Sequence, residues 1–171
     1  MGFFIYCVNR YLYPIKYSQD VLEFSKQNNL ESSLVFALIK TESNFDKNAK
    51  SVKGAKGLMQ ISDSTAQYIA KNLNITSYDI FSPQTNIKFG CWYLRYLINK
   101  FKNMQTAVAA YNAGEGKVAN WLKQKEYSSN GITLDNIPFN ETKQYVNRIL
   151  SRRVKYKKLY PKIVDKTLNF E

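Results

Sequence analysis

Glu42 has the clearest potential for acid–base chemistry in this sequence. Leu34, Leu38 and Glu42 are spaced i, i+4 and i+8, so in a helix their side chains share one face. A carboxyl held among apolar neighbours keeps its proton to a higher pH, and it can then act as a general acid near neutrality. The alternative is that the helix ends at Glu42 and the carboxylate reaches solvent, as most surface glutamates do. The periodicity leaves both interpretations open.

The composition excludes several other chemistries. The chain has no histidine, which rules out a Ser-His-Asp triad, a Cys-His pair and zinc motifs that use histidine. Cys7 and Cys91 lack CxxC spacing and are too few to hold a metal alone. We therefore predict no metal site and no cofactor, and we interpret Cys91 as an apolar core residue.

Three further stretches offer polar side chains beside glycines or at a helix start. They read GLMQIS, AAYNAGEGKV and IPFNETKQYV in the sequence. Glycines allow another part of the chain to approach the backbone closely, which suits a binding cleft. Taken singly, each stretch also fits a role in a core, a cap or a turn.

Helices must position these side chains. The apolar spacing predicts helices over residues 18 to about 28, over a segment that ends near Glu42, and over TAVAAYNAG, which Gly114 closes. The segment after Pro83 has the longest amphipathic pattern, and we expect it to be the central buried helix. Because no strand pattern of similar strength is present, the predicted fold class is all-α.

Helix start signals support this assignment. Ser64 and Gln67 have the spacing of a capping box. Ser82 precedes Pro83, which is typical of an N-cap followed by proline at the first helical position. Asn140 can cap a long final helix.

The charge of the chain predicts an anionic partner. Lys and Arg total 25 against 13 Asp and Glu, which gives +12 at pH 7 in a chain of 171 residues, a length that suits one domain. Nucleic acid, a membrane surface and an acidic wall polymer all fit that charge. A nucleic-acid-binding domain would need a base-reading helix or aromatic stacking motifs, and we find neither, so we predict no nucleic-acid partner. The lysines around GLMQ either border a groove or form a solvated surface.

Four blocks, ESNF, GLMQIS, AYNAG and IPFNETKQYV, occur in this order with suitable spacing. Together they resemble the catalytic domain of the lytic transglycosylases related to goose-type lysozyme, glycoside hydrolase family 23, over residues 17–160. The resemblance implies a lysozyme-like globular helical domain with a substrate groove. It also implies cleavage of the β-1,4 bond between N-acetylmuramic acid and N-acetylglucosamine in peptidoglycan glycan strands.

The same resemblance implies that Glu42, which opens the first block, is the catalytic residue. It would protonate the glycosidic oxygen and then take the proton of the muramoyl 6-hydroxyl, leaving a 1,6-anhydromuramoyl end. Hydrolysis ordinarily needs a second carboxylate. We interpret Asp46 as a loop hydrogen-bonding residue and Asp63 as a charge at a helix N-terminus. A hydrolytic muramidase and a non-catalytic peptidoglycan-binding module are the alternatives.

The resemblance assigns further residues to the groove. Met59 and Gln60 are expected to line the glycan cleft, and Tyr111 to hydrogen-bond near the catalytic carboxyl, with Asn112 supporting its loop. In the last block the acidic residue is expected to contact the peptide or sugar side of the groove. The implied substrate-binding residues are Ser43, Met59, Gln60, Tyr111, Asn112, Glu141 and Tyr145.

Residues 1–16 form a short apolar and aromatic arm ahead of a catalytic domain predicted for residues 17–171. The apolar run, residues 2–8, is too short for a spanning helix of roughly 20 residues and marginal for a signal segment of about 7 to 15. We interpret the arm either as the remnant of a longer membrane anchor or as a segment that packs on the domain. Because peptidoglycan lies outside the cytoplasmic membrane, we predict an extracytoplasmic location in the cell envelope, with anionic wall polymers as further partners.

Overall fold

The computed structural model describes residues 8–164, and its regular structure is helical. Residues 8–12 are helical, and further helices follow within the described range. These are α1 (Ser18–Gln27), α2 (Ser32–Glu42), α3 (Asp63–Asn72), α4 (Pro83–Phe101), α5 (Met104–Ala113), α6 (Glu115–Trp121), α7 (Asn140–Leu159) and α8 (Pro161–Val164). In this range, extended backbone pairs only as isolated bridges in the loop before α3. The predicted all-α class is confirmed.

The core surrounds α2 on every side. All residues from 32 to 39 are buried, because this stretch is apolar around most of its circumference. In contrast, α4 buries one face, which includes Ile87 and Leu94, and exposes polar residues such as Lys100. The prediction that the helix after Pro83 is the central buried one is therefore wrong. An amphipathic pattern is typical of a helix at the edge of a core, and the shorter α2 occupies its centre.

Two predicted helix caps are displaced. α3 begins at Asp63, and its N-cap is Ser62, whose Oγ accepts a hydrogen bond from the backbone N–H of Thr65 at 3.2 Å. The capping box predicted for Ser64 is therefore wrong by two residues, because either serine could precede this helix. Asn140 is the first residue of α7 rather than its cap.

Other boundaries agree with the sequence. α4 begins at Pro83 with Ser82 in the N-cap position, and α5 ends at Ala113 with Gly114 as its C-cap. Cys91 is fully buried in the core, as predicted. The longest connection between the described helices is residues 43–62, between α2 and α3, and residues 122–139, between α6 and α7, come next.

A polar seam joins α2 to α7. At the start of α2, Arg153 donates to both carboxylate oxygens of Glu31, at 2.6 and 2.7 Å, and Lys157 Nζ lies 2.9 Å from the same group. These bonds hold the pKa of Glu31 at about 2, despite its partial burial. Near the other end of α2, Arg152 donates to Thr41 Oγ1 at 2.8 Å. The seam fixes the register of the two helices.

The predicted N-terminal arm lies partly outside the described residues, because its apolar run, apart from Val8, precedes them. The described remainder packs on α7. The hydroxyl of Tyr156 donates to the carbonyl of Pro14 at 3.0 Å, and that of Tyr160 to the carbonyl of Tyr13 at 2.7 Å. None of the helices within residues 8–164 has the length and apolar character needed to cross a membrane. The limits 1–16 and 17–171 stay predictions.

Candidate active site

Glu42 is the last residue of α2, and it lies at the wall of a cleft with its side chain partly exposed and its carboxyl largely removed from water. The hydroxyl of Tyr145, on α7, donates to Glu42 Oε1 at 2.5 Å. The helix does end at Glu42, as one interpretation of the sequence required. The carboxyl nevertheless does not move freely into solvent, because a neighbouring helix holds it.

This environment changes the acidity of Glu42. Burial raises its pKa to about 7, although the hydrogen bond from Tyr145 and the positive charge of Arg148 act in the opposite direction. Near neutral pH, both the protonated and the ionised form are therefore populated. A group in this condition can give a proton in one step and take one in the next.

The pocket around Glu42 is cationic. It has a volume of about 540 Å³, and among the described residues that line it Glu42 is the sole carboxylic acid. Four positive side chains line the same pocket, and none of them forms an ion pair with a described residue. They are Lys40, Lys50, Arg148 and Arg152. The pocket therefore combines one proton-transferring acid with a surplus of positive charge.

The other acids near this loop have separate partners. Asp46 Oδ1 accepts a hydrogen bond from the backbone N–H of Asn48 at 2.9 Å, as expected for a loop residue. Asp63 opens α3 and pairs with Lys56 Nζ at 2.6 Å. Neither carboxylate lines the pocket of Glu42. Within residues 8–164, no three His, Cys, Asp or Glu side chains come together in a way that could hold a metal ion.

The GLMQ loop is held against α4 by a buried amide. Asn86 Oδ1 accepts from the backbone N–H of Met59 at 2.7 Å, and its Nδ2 donates to the carbonyls of Lys56 and Ile80. Gly57 permits this approach, because its φ is +74° and a Cβ there would lie 2.3 Å from Asn86 Nδ2. The loop conformation therefore depends on one glycine and one buried asparagine.

Two predicted site residues hold the same loop from the other side. Ser43 Oγ donates to the carbonyl of Leu58 at 2.8 Å, and the hydroxyl of Tyr111 donates to the carbonyl of Met59 at 2.9 Å. Tyr111 lies near the acid, since the Glu42 carboxyl adds to burial in raising the pKa of this tyrosine. The direct hydrogen bond to Glu42 comes from Tyr145, so the two tyrosines have different partners.

Met59 and Gln60 are neighbours with different surroundings. The Met59 side chain is fully buried against Gly90, where an added Cβ would lie 2.3 Å from the sulfur. It supports the loop from beneath and presents no surface to a ligand. Gln60 is half-buried and borders the pocket of Glu42, while its Nε2 donates to the carbonyls of Ala49 and Gly57.

The remaining predicted residues lie on α5 and α7. Asn112 Oδ1 accepts a hydrogen bond from Thr142 Oγ1 at 2.8 Å, which joins the end of α5 to the start of α7. Glu141 is exposed in the first turn of α7. Its contact with a substrate stays a prediction.

Sequence reasoning missed three residues of this site. Asn86 precedes the apolar Ile87 on α4, and a polar residue at a buried helical position was the available signal. Arg148 is three residues after Tyr145, so the two share a face of α7. Thr142 had no signal of its own, because its importance comes from a partner far away in the chain.

An all-α fold with a half-buried acidic side chain in a cleft agrees with the lysozyme-like domain that the sequence resemblance implies. The family model described as "Transglycosylase SLT domain" matches residues 21–132, and the chain belongs to this family. The predicted family resemblance and the lysozyme-like fold are confirmed.

Relatives in sequence have corresponding names. The chain is 33% identical over 151 residues to the soluble lytic murein transglycosylase of Salmonella typhimurium, covering 85% of this chain and 23% of the relative. It is 36% identical over 104 residues to the transglycosylase of Enterobacteria phage PRD1, covering 60% of this chain and 37% of the relative. The chain thus spans only about a quarter of the length of its Salmonella relative.

Solved structures show the same fold. An inactive glutamate-to-glutamine mutant of the lytic transglycosylase Slt from Pseudomonas aeruginosa has a TM-score of 0.76 and 34% identity, covering 86% of this chain and 25% of the other. The 70 kDa soluble lytic transglycosylase, solved as a complex with bulgecin A, has a TM-score of 0.75 and 31% identity, covering 85% and 25% respectively.

Proposed function

We propose that this chain is a lytic transglycosylase that cleaves peptidoglycan between N-acetylmuramic acid and N-acetylglucosamine. The observation that carries the proposal is the pocket of Glu42, where one carboxyl with a pKa of about 7 has no second acid beside it among the described residues that line the pocket. The name of the Salmonella relative, a murein transglycosylase, supports the same substrate. The inactive Pseudomonas mutant supports a reaction that depends on a glutamic acid.

In the first step, protonated Glu42 donates its proton to the oxygen of the glycosidic bond. The bond between that oxygen and the muramoyl C1 breaks, and the ring acquires oxocarbenium character. Tyr145 supports this step because its hydroxyl holds Glu42 Oε1 in place. The Glu42 carboxylate that results is then stabilised by the nearby positive charge of Arg148.

In the second step, the Glu42 carboxylate takes the proton of the muramoyl 6-hydroxyl. The 6-oxygen then bonds to C1 of its own ring, which gives a 1,6-anhydromuramoyl end. Glu42 regains its proton, and no water is consumed. A single acid that alternates between two forms is sufficient for this route, whereas hydrolysis ordinarily uses a pair of carboxylates.

The other predicted residues have proposed roles in binding and positioning. Both Nε2 bonds of Gln60 are made within the protein, so its Oε1 is the atom left to accept from a sugar hydroxyl. Ser43 and Tyr111 position the loop that carries Gln60, and Met59 supports it from the core. Asn112 would support the adjoining end of α5 through its hydrogen bond from Thr142. We retain a peptide or sugar contact for the exposed carboxylate at the start of α7.

The positive pocket suits a substrate that carries carboxylates. Peptide stems of peptidoglycan have free carboxylates close to the muramoyl ring, and the four cations of the pocket would attract them by a force that salt screens. Binding of other anionic wall polymers is a further prediction. Because the proposed substrate lies outside the cytoplasmic membrane, we also propose an extracytoplasmic location, with attachment through an N-terminal anchor as one means of membrane association.

Mass spectrometry of fragments released from purified peptidoglycan tests the proposal. The expected muropeptides are lighter by one water than those from a hydrolase digest of the same wall, and Glu42→Gln protein should release almost none. Reducing muramic acid ends would identify a muramidase instead. If neither protein releases fragments but both sediment with peptidoglycan, the chain is a binding module.

A further inference from the structure

The short helical turn at residues 8–12 presents an apolar face to solvent. Val8, Tyr11 and Leu12 have the i, i+3 and i+4 spacing that puts side chains on one side of a helix. Their exposed fractions are 39%, 85% and 49%. The other large apolar residues exposed in the described range lie at least seven positions from one another in the chain. A group of exposed apolar side chains is typical of an interaction surface.

Contacts with α7 fix this turn on the domain. The Arg10 guanidinium lies 4.8 Å from the centre of the Tyr160 ring. The ring of Tyr13 meets that of Tyr156 edge-on at 5.6 Å, and the backbone carbonyl of Tyr13 accepts the hydrogen bond from Tyr160. The apolar face therefore cannot turn inward without breaking these contacts.

A cluster of positive side chains lies beside the segment that follows the turn. Lys16 is exposed, four positions after Leu12. Burial, followed by the charges of Arg152 and Lys16, lowers the pKa of Lys40, so these three cations are close enough to repel one another. Lys155 is three residues after Arg152 and shares its side of α7. None of the four cations forms an ion pair with a residue in the range 8–164, which favours an anion beside them.

We propose that this surface binds an anionic lipid bilayer. Val8, Tyr11 and Leu12 enter the interface between head groups and acyl chains, and the cluster of positive side chains contacts the lipid phosphates. Tyrosine and aliphatic side chains next to Lys and Arg are typical of segments that lie in a membrane interface. A soluble phosphate polymer would satisfy the cations but would leave the apolar face in water.

This binding is peripheral, and it requires neither a segment that crosses the bilayer nor the proposed reaction. It does affect where the domain works. Lys40 and Arg152 line the pocket of Glu42, and Lys16 lies near both. A bilayer that contacts Lys16 therefore holds the pocket close to the membrane, where the nearest glycan strands are within reach.

Sedimentation with lipid vesicles tests the apolar half of the surface. The protein should sediment with vesicles that contain phosphatidylglycerol and much less with vesicles of phosphatidylcholine alone. Leu12→Ser should weaken the binding by about fivefold, because half of a leucine side chain no longer leaves water. Ile132→Ser is the matched control, since Ile132 is also 49% exposed but lies in the connection between α6 and α7.

A second pair of variants tests the charged half. Lys16→Gln should weaken binding to phosphatidylglycerol vesicles by about fivefold, the effect of one cation at an anionic membrane surface. Lys125→Gln removes an exposed lysine elsewhere and should have little effect. High salt should weaken the binding of the wild type, because ions screen the attraction.

Quenching by lipids with brominated acyl chains tests insertion directly. Trp92 and Trp121 are the natural tryptophans, and neither belongs to the proposed surface. Phosphatidylglycerol vesicles with brominated chains should therefore quench a Tyr11→Trp protein strongly and the wild type weakly. Equal quenching of the two proteins would contradict insertion at this turn. Circular dichroism should give the same spectrum for all variants.

Four other results would overturn the membrane surface. They are no binding to phosphatidylglycerol vesicles, equal weakening by Leu12→Ser and Ile132→Ser, binding that polyphosphate abolishes while Leu12→Ser has no effect, and a dimer in sedimentation velocity that Leu12→Ser dissociates. The third result would assign the cations to a soluble polyanion, and the fourth would assign the apolar face to a second copy of the chain. Glu42→Gln should bind vesicles as the wild type does, so the reaction and the membrane surface are judged separately.

Discussion

Two glutamates, the N-cap and the last residue of α2, contact the same partner helix, and one is a far stronger acid than the other. Glu31 at the start of α2 has a pKa of about 2, and Glu42 at its end has a pKa of about 7. Glu31 accepts hydrogen bonds from Arg153, with Lys157 beside it, whereas Glu42 accepts one from the neutral phenol of Tyr145. Cations on α7 therefore keep Glu31 ionised, whereas burial keeps the proton on Glu42 although its contacts on α7 favour the ionised form.

The comparison shows how one helix pair can provide both stability and reactivity. A carboxylate with two cationic partners is favourable in its charged form, and it joins the helices. A carboxyl that loses water and gains only a phenol retains its proton to neutral pH. Arg148 lowers the pKa of Glu42 but does not overcome burial. The reactive end is the one at which the cations do not form a direct ion pair with the acid.

The largest expected effect is the loss of activity in Glu42→Gln. The amide keeps the size of the side chain but can neither donate the acid proton nor take one from the 6-hydroxyl. Turnover should fall on the order of a thousandfold or more, in keeping with the 10² to 10⁴ typical of one positioned acid or base. The rate at which soluble fragments are released from peptidoglycan measures this fall in turnover.

Glu31→Gln is the matched control, because it makes the same exchange at the other end of α2. It should retain most of the activity. Comparable losses of turnover in Glu31→Gln and Glu42→Gln would contradict the assignment of a structural role to Glu31 and a catalytic role to Glu42.

Next in size is the effect of Glu31→Gln on folding. Removing a carboxylate that accepts two hydrogen bonds from Arg153 should lower the free energy of unfolding by about 1 to 2 kcal/mol at neutral pH, after allowance for solvent screening. The pKa of Glu31 is about 2 when folded, below its ordinary value of 4.5. Its contribution is therefore present above pH 4.5 and is lost as the pH falls towards 2.

For Glu42 the pH dependence has the opposite sign. The folded pKa of about 7 lies above the ordinary value of 4.5, so its contribution to stability is fully present below pH 4.5 and is lost as the pH rises to 7. Glu42→Gln should therefore gain stability relative to the wild type as the pH rises through this range. Urea unfolding of the wild type, Glu31→Gln and Glu42→Gln between pH 2 and 8 measures both contributions. If the stability of both variants relative to the wild type changed in the same direction as the pH rises, the comparison would be contradicted.

A smaller effect is expected for Tyr145→Phe, which removes the donor to Glu42 Oε1. Because that bond lowers the pKa of Glu42, its loss should move the high-pH limb of the activity profile to higher pH. Turnover at neutral pH should fall by about tenfold, the value of one hydrogen bond of about 1.4 kcal/mol. Tyr111→Phe should lower turnover without moving the limb, since its hydroxyl bonds to a backbone carbonyl.

The smallest effect concerns Arg148→Gln. The guanidinium lowers the pKa of Glu42 through its charge alone, and its influence is smaller than that of burial or of the Tyr145 hydrogen bond. Its removal should shift the high-pH limb upward by less than Tyr145→Phe does. High salt should shift the wild-type limb in the same direction, because ions screen the charge. A downward shift would show that Arg148 acts in another way.

Local sequence patterns predicted most of the helices, whereas contacts between residues far apart in the chain could not be predicted from the sequence. The spacing of Leu34, Leu38 and Glu42 placed the acid on an apolar helix face, and the family resemblance of the ESNF block implied its catalytic role. No local rule pairs Glu42 with Tyr145, since their bond depends on how α2 and α7 meet. The sequence also could not show whether Met59 lies in the core or lines the cleft, because apolar residues occur in both environments. The structure places it in the core.

The bond between Tyr145 and Glu42 joins residues that are 103 positions apart, and this separation sets an order of events during synthesis. The ribosome completes α2 and the GLMQ loop well before α7 leaves its exit tunnel. Until α7 docks, the acid lacks its phenol partner, the nearby guanidinium and much of the surface that dehydrates it. A nascent chain therefore carries an ordinary glutamate at this position. Under the proposed function, the site therefore becomes reactive only when α7 docks on the rest of the domain.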